Sequence, residues 1–154
     1  MVLPYHLALT VIERIMFELD WDDDGRIKFR DFRQSKLFPT LLRLENEEEI
    51  NTIRDFFIYE HFYVIYCRFH ELDVDHDQYI SKEDFGKYNR HALSNKTINR
   101  IWEQAGRKFK STRAGYMNYD DFVFFLLVEE NKTHPRAIEY WFKLVDLDCN
   151  GLIG

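Results

Sequence analysis

Twice in this chain a stretch of twelve residues carries acidic side chains at its first, third, fifth and twelfth positions. The first is "DWDDDGRIKFRD", with Asp20, Asp22 and Asp24 at 1, 3 and 5, Gly25 at 6, Arg26 at 7, Ile27 at 8 and Asp31 at 12. The second is "DVDHDQYISKED", with Asp73, Asp75 and Asp77 at 1, 3 and 5, Tyr79 at 7, Ile80 at 8, Ser81 at 9 and Asp84 at 12. Four carboxylates in so short a stretch repel one another, so a fold that gathers them needs a positive charge among them. This spacing wraps oxygens around one point, as a hard divalent cation with its roughly six to eight oxygen ligands requires.

The other positions agree. Gly25 supplies a sharp turn, the carbonyls of Arg26 and Tyr79 offer further oxygens, and the acid at 12 closes the shell from the helix that follows. Leu7, Val11 and Ile15, with Ala8, Ile12, Met16 and Leu19, recur at helical spacing before the first loop. Phe32 and Leu37 begin another apolar face after it. Helix, acidic loop and helix make an EF-hand, a specific motif when register and flanks both hold. Ser81 suits the N-cap of the helix leaving the second loop, with Asp84 three residues on. Gln78 departs from the pattern at position 6, where a left-handed backbone is expected at a cost of about 1 kcal/mol for a residue other than glycine.

A third loop starts in "DLDCNGLIG", with Asp146, Asp148, Asn150, Gly151 and Ile153 at 1, 3, 5, 6 and 8, and the sequence stops at position 9. Such a chain is expected to be a piece of a longer protein, and this loop to hold calcium poorly. Two further hands have the frame without the ligands. "RAGYMNYDDFVFFLL" puts Gly115 at 6, Met117 at 8 and Asp121 at 12, but Lys110, Thr112 and Ala114 at 1, 3 and 5. "FFIYEHFYVIY" echoes it with Phe57, Tyr59 and Phe62. The expected fold is all-α, an EF-hand array with short paired antiparallel strands between loops, Ile80 facing Met117. Residues 1–58 form an N-terminal unit with a competent loop at 20–31 and a degenerate one near 50–61. Residues 59–132 form a pair with a competent loop at 73–84 and a degenerate one at 110–121. Residues 133–154 hold the entering helix and start of a further hand.

Bulk properties narrow the function. At 154 residues, 45% hydrophobic and 17% aromatic, with 6 Gly and 3 Pro, the chain suits a globular, helix-rich domain. A net charge of −6 argues against nucleic acid. Cys67 and Cys149 have no CxxC spacing and give neither a disulfide framework nor a zinc site, which suits a reducing compartment. No long uncharged apolar run occurs and no signal peptide is expected, so the expected location is cytoplasmic, with room for nuclear or cytoskeletal association. Asp-rich turns are often merely solvated, yet two in full register with helices on both sides favour metal. Paired Asp for phosphoryl transfer lacks a nucleophile, a phosphate loop and a basic clamp. The six histidines show no HxxxH or HxH spacing and read as packed or exposed side chains. Cys67 and the aromatic runs read first as core, with part of the aromatic surface suited to a partner.

The segments "YEHFYVIYCRFHELDVDHDQYISKEDFGKYNRHALS" and "NYDDFVFFLLVEENKTHPRAIEYWFKLVDLDCNG" resemble the B″ regulatory subunits of protein phosphatase 2A, over most of residues 36–154. The resemblance implies a helical, non-enzymatic platform that docks on the HEAT-repeat scaffold subunit and positions the catalytic subunit toward substrates, with calcium tuning the assembly. Carried over residue by residue, the metal roles fall on Asp20, Asp22, Asp24, Arg26 and Asp31, and on Asp73, Asp75, Asp77, Tyr79 and Asp84. The alternative is a free calcium sensor that binds target helices, against which stand the ligand-poor hands and only 3 methionines. Closure by Asp rather than Glu leaves a shorter arm and a relatively better fit for Mg²⁺. Neither nucleic acid nor membrane is expected as a partner.

Overall fold

The computed structural model describes residues 2–44 and 59–153. Among these the chain forms eight α-helices: α1 (Val2–Leu19), α2 (Phe29–Gln34), α3 (Leu37–Leu44), α4 (Tyr59–Leu72), α5 (Lys82–Phe85), α6 (Asn95–Trp102), α7 (Tyr119–Glu130) and α8 (Pro135–Val145). The all-α class is as expected. The degenerate loop near 50–61 lies for the most part outside the described residues. No described helix is long and apolar enough to cross a membrane. The chain separates into two compact units, Met1–Tyr66 and Cys67–Gly154, the boundary falling within α4.

In the first unit, α1 leads into the loop that begins at Asp20, and α2 and α3 leave it. Leu19 and Leu37 are buried together, with Ile15 and Phe32 packed against them, so an apolar contact clasps the two sides of the loop. The buried stripe of α1 corrects the sequence reading. It runs through His6, Thr10, Glu13 and Phe17, at helical spacing, whereas Leu7, Val11 and Ile15 are half-buried and Ile12 is 54% exposed. The hydroxyl of Thr10 donates to the His6 carbonyl at 2.8 Å, which removes part of the cost of burying it.

The second unit is built around α7. A helix that is hydrophobic on all sides is stable only when covered on all sides, and Tyr119 and every residue from Asp121 to Val128 are buried. Phe69 of α4 meets Tyr119 and Phe122 at ring distances of 5.1 and 5.8 Å. Phe85 of α5 meets Phe125 at 5.0 Å, and Tyr140 of α8 meets Phe124 at 5.8 Å. Trp141 donates from Nε1 to the Val128 carbonyl at 3.0 Å. The run "DFVFFLLV" is thus interior, with Glu129 half-buried and Glu130 exposed after it. Asn118 and Asp121 exchange side-chain and backbone hydrogen bonds as a capping box that starts α7.

Among the described residues, the expected short paired strands between loops reduce to a single antiparallel bridge, Ile80 to Met117. Its two hydrogen bonds, Ile80 N–H to Met117 O at 2.8 Å and Met117 N–H to Ile80 O at 3.0 Å, tie the loops together. Pairing cannot extend past it, because Ser81 and Asn118 come next in each chain direction and both are already helix N-caps.

Candidate metal centre

Each acidic loop is shaped by its own first carboxylate. Asp20 accepts the backbone N–H of Asp24 on Oδ1 at 3.1 Å and of Gly25 on Oδ2 at 2.8 Å. Asp73 accepts those of Asp77 and Gln78 at 3.1 and 3.0 Å. Asp146 accepts those of Asn150 and Gly151 at 3.3 and 2.9 Å. The fifth position then accepts from the seventh: Asp24 from Arg26, Asp77 from Tyr79 and Asn150 from Leu152. The chain turns left-handed at positions 4 and 6 in all three, at Asp23 and Gly25, His76 and Gln78, and Cys149 and Gly151. Gln78 therefore adopts φ +70°, where glycine fits without strain. Three loops of unlike sequence share one hydrogen-bonded frame, and positions 1, 5 and 6 dictate it.

That frame gathers the ligands. One carboxylate oxygen each from Asp20, Asp22 and Asp24 lies within 4.8 Å of the others, and the same holds for Asp73, Asp75 and Asp77. The closing acids stand outside these groups. Asp31 has Arg30 at 3.9 Å and Asp84 has Lys87 at 3.4 Å. Arg26 and Tyr79 hold the seventh position through the N–H groups just described. A further grouping escaped the sequence reading: His70, Asp73 and His76 also bring ligand atoms within 4.8 Å of one another. His70 lies in the last turn of α4 and His76 in the loop, so a search for histidines one helical turn apart passes over them.

The electrostatics mark a place for positive charge. Burial pushes the Asp20 carboxyl above its ordinary value, and the neighbouring Asp22 and Asp24 carboxylates add to this against the N–H groups of Gly25 and Asp24. Asp73, which is fully buried, is raised chiefly by burial and further by Asp77 and Asp75, against the Gln78 N–H. Asp22 is lowered, first by its hydrogen bond from Lys28, whose Nζ lies 2.9 Å from Oδ2. At Asp77 burial acts upward, but the Tyr79 N–H and the Arg113 guanidinium draw it below its ordinary value. A donor set made wholly of oxygen, charged and partly desolvated, fits a hard divalent cation.

The ligand-poor loop at 110–121 shows the contrast. Gly115 at its sixth position turns left-handed, φ +80°. Its closing acid, Asp121, is buried and accepts the backbone N–H groups of Lys110 at 2.7 Å, Ser111 at 3.2 Å and Asn118 at 3.2 Å. The carboxylate ties the beginning of the loop to its end directly, which a metal ion would do elsewhere.

Residues 62–154 match the family model of the EF-hand domain pair. The chain is 48% identical, over 94% of its length, to the alpha form of the B″ regulatory subunit of serine/threonine-protein phosphatase 2A from Homo sapiens, and covers 13% of that protein. It is 46% identical, over 94% of its length, to the beta form from Homo sapiens and covers 25% of it. The chain thus spans less than a third of the length of the curated relatives it matches. Among solved structures it is similar to a chain described as belonging to a PP2A PR70 holoenzyme, "diCa", with a TM-score of 0.86 at 46% identity, covering 97% of this chain and 55% of that one.

Proposed function

This chain belongs to the EF-hand domain pair family, and we propose that it is the calcium-binding, non-catalytic part of a B″-type regulatory subunit of protein phosphatase 2A. In this reading it docks on the HEAT-repeat scaffold and helps to position the catalytic subunit toward substrates. The observation that carries it is likeness at 46% identity along 97% of the chain to a holoenzyme component, with a TM-score of 0.86. Such agreement extends far beyond the twelve-residue loops that all EF-hands share.

Calcium would be held by Asp20, Asp22, Asp24, Asp31 and the Arg26 carbonyl, and by Asp73, Asp75, Asp77, Asp84 and the Tyr79 carbonyl. A bound cation supplies charge neutralisation. The chain's own work is to hold the first, third and fifth carboxylates together through the hydrogen bonds of positions 1 and 5, and to fix the second loop against its neighbour through Ile80. The short closing arms Asp31 and Asp84 would let Mg²⁺ compete. We also retain the organisation into an N-terminal hand unit at 1–58, a hand pair at 59–132 and the start of a further hand at 133–154.

The test is binding of the purified chain to the HEAT-repeat scaffold, with calcium and with chelator. Scaffold binding that depends on calcium is expected. Binding only to amphipathic target helices would support a free sensor instead, and phosphoester turnover by the chain alone would overturn the non-catalytic role.

A further inference from the structure

The two carboxylate oxygens of Asp77 face different partners. Oδ1 accepts the Tyr79 N–H at 2.9 Å, a bond internal to the loop. Oδ2 turns instead to the neighbouring loop and receives Arg113 Nη1 at 2.6 Å. Arg113 comes from 36 residues away, at position 4 of the ligand-poor loop. It is well held there. Its guanidinium lies 3.7 Å from the ring centre of Tyr116 and 5.4 Å from that of Tyr79, the seventh residue of the acidic loop. Its backbone N–H donates to Ser111 Oγ, whose hydroxyl donates to the Arg113 carbonyl. The bridge from Ile80 to Met117 keeps the two loops in register.

We infer that Arg113 is a built-in counter-ion, lent by the ligand-poor loop, that steadies the loop of Asp73 to Asp84 without a cation and weakens its affinity for one. The inference rests on the calcium reading of that loop. A divalent ion on Asp77 either displaces Arg113 from Oδ2 or brings a second positive charge beside the first. Either way the guanidinium opposes uptake. In the first loop the pairs are looser and lie within its own twelve residues: Lys28 on Asp22, with side chains 64% and 49% exposed, and Arg30 on Asp31 at 3.9 Å. The ligand-poor hand thus has a chemical task as well as a packing one, and Arg113 is an affinity-determining residue that is not itself a ligand.

The experiment is a calorimetric calcium titration of the whole chain carrying Asp20→Ala and Asp146→Ala, so that the heat reports the second loop. It is repeated with Arg113→Gln and with Arg113→Lys added, and each protein is melted in chelator. The pair is partly exposed, so Arg113→Gln should tighten calcium binding about two- to fivefold. That gain should shrink at high salt, and the melting temperature in chelator should fall. Arg113→Lys keeps the charge, loses much of the ring stacking and should lie between. Unchanged or weaker binding in Arg113→Gln overturns the counter-ion role, the weaker result marking Arg113 as an orienting group for Asp77. If neither parent nor variant takes up calcium at this loop, the metal reading fails and the inference with it.

Discussion

Arg100 donates from Nε to the carbonyl oxygen of Leu144 at 2.9 Å, 44 residues further along the chain. The same guanidinium donates from Nη2 to the carbonyls of Lys143 and Asp146, at 2.9 and 3.0 Å. These carbonyls end α8, where a helix has no partners of its own for them and where positive charge is favoured. A side chain from α6, beyond the second acidic loop, thus completes the helix that enters the third. Replacing Arg100 by Ala removes this donor from the Lys143 and Leu144 carbonyls, in a side chain's place that is only 14% exposed, while the Asp146 carbonyl keeps the Cys149 N–H at 3.3 Å. We expect a loss of about 2 kcal/mol, read as a lower midpoint in urea unfolding. An unchanged midpoint would show that solvent replaces the guanidinium freely.

Gln78 stands at φ +70° where the first loop has Gly25 at +79°. Gln78→Gly should relieve strain and raise stability by up to about 1 kcal/mol, partly offset by the greater freedom of glycine when unfolded. Gly25→Ala should do the reverse. A new Cβ at Gly25 meets nothing within 4 Å, so any loss there is backbone strain alone. Thermal melts of both variants in chelator check the pair, and stabilisation by Gly25→Ala would contradict it.

Chelation should lower the melting temperature, because the buried Asp73 then faces Asp75 and Asp77 with no divalent cation between them. Asp73→Ala should remove most of the second loop's share of that shift. Scanning calorimetry with calcium and with EGTA measures both, and identical curves for the unaltered chain would refute the expectation.

The closing position sets affinity. With Asp at 31 and 84, we expect dissociation constants for calcium on the order of micromolar or weaker. Asp84→Glu restores the arm that reaches an ion with both oxygens. It should tighten calcium at that loop by at least about fivefold and favour calcium over Mg²⁺. Competition titration with a chromophoric chelator reads this, and nanomolar binding by the unaltered chain would sink it.

Stability at high pH should depend on Tyr88. Burial, and then its hydrogen bond to Glu129 at 2.9 Å, push the hydroxyl up to about 12 from an ordinary value of 10.0. The folded chain therefore keeps this proton to a higher pH than the unfolded chain does. Between roughly pH 10 and 12 the unfolded state gives it up first, so stability falls as pH rises. Burial raises Tyr140 as well, which acts in the same direction. Urea midpoints from about pH 9 to 11.5 should decline, and Tyr88→Phe should flatten part of that slope whatever it does to the level. An equally steep slope in the variant would remove Tyr88 as a cause.

Much of the loop architecture can be read from sequence because it is local. The hydrogen bonds from positions 5 and 6 to position 1 span four or five residues, so the order of Asp73, Asp77 and Gln78 suffices to foresee them. Ser81 as an N-cap and the partnership of Ile80 with Met117 follow from position alone. Features that depend on distant neighbours leave no such trace. Arg100 and Arg113 look like ordinary surface cations in the sequence, and only the packed unit delivers them to Leu144 and Asp77. On α1 the apolar rhythm of Leu7, Val11 and Ile15 is the stronger signal, yet packing covers the adjacent stripe of His6, Thr10, Glu13 and Phe17. Histidine spacing rules assume one helix, and the turn after Leu72 brings His76 back toward His70.

Asp121 has a consequence for how freely this chain can change. Because its carboxylate secures the two ends of its loop through backbone N–H groups, the fold makes no demand on the side chains of Lys110, Thr112 or Ala114 as ligands. Substitutions there should be tolerated widely, while Gly115, Met117 and Asp121 should resist replacement in a saturation scan. A loop released from one duty in this way becomes ground on which another can arise, and Arg113 sits in the middle of it.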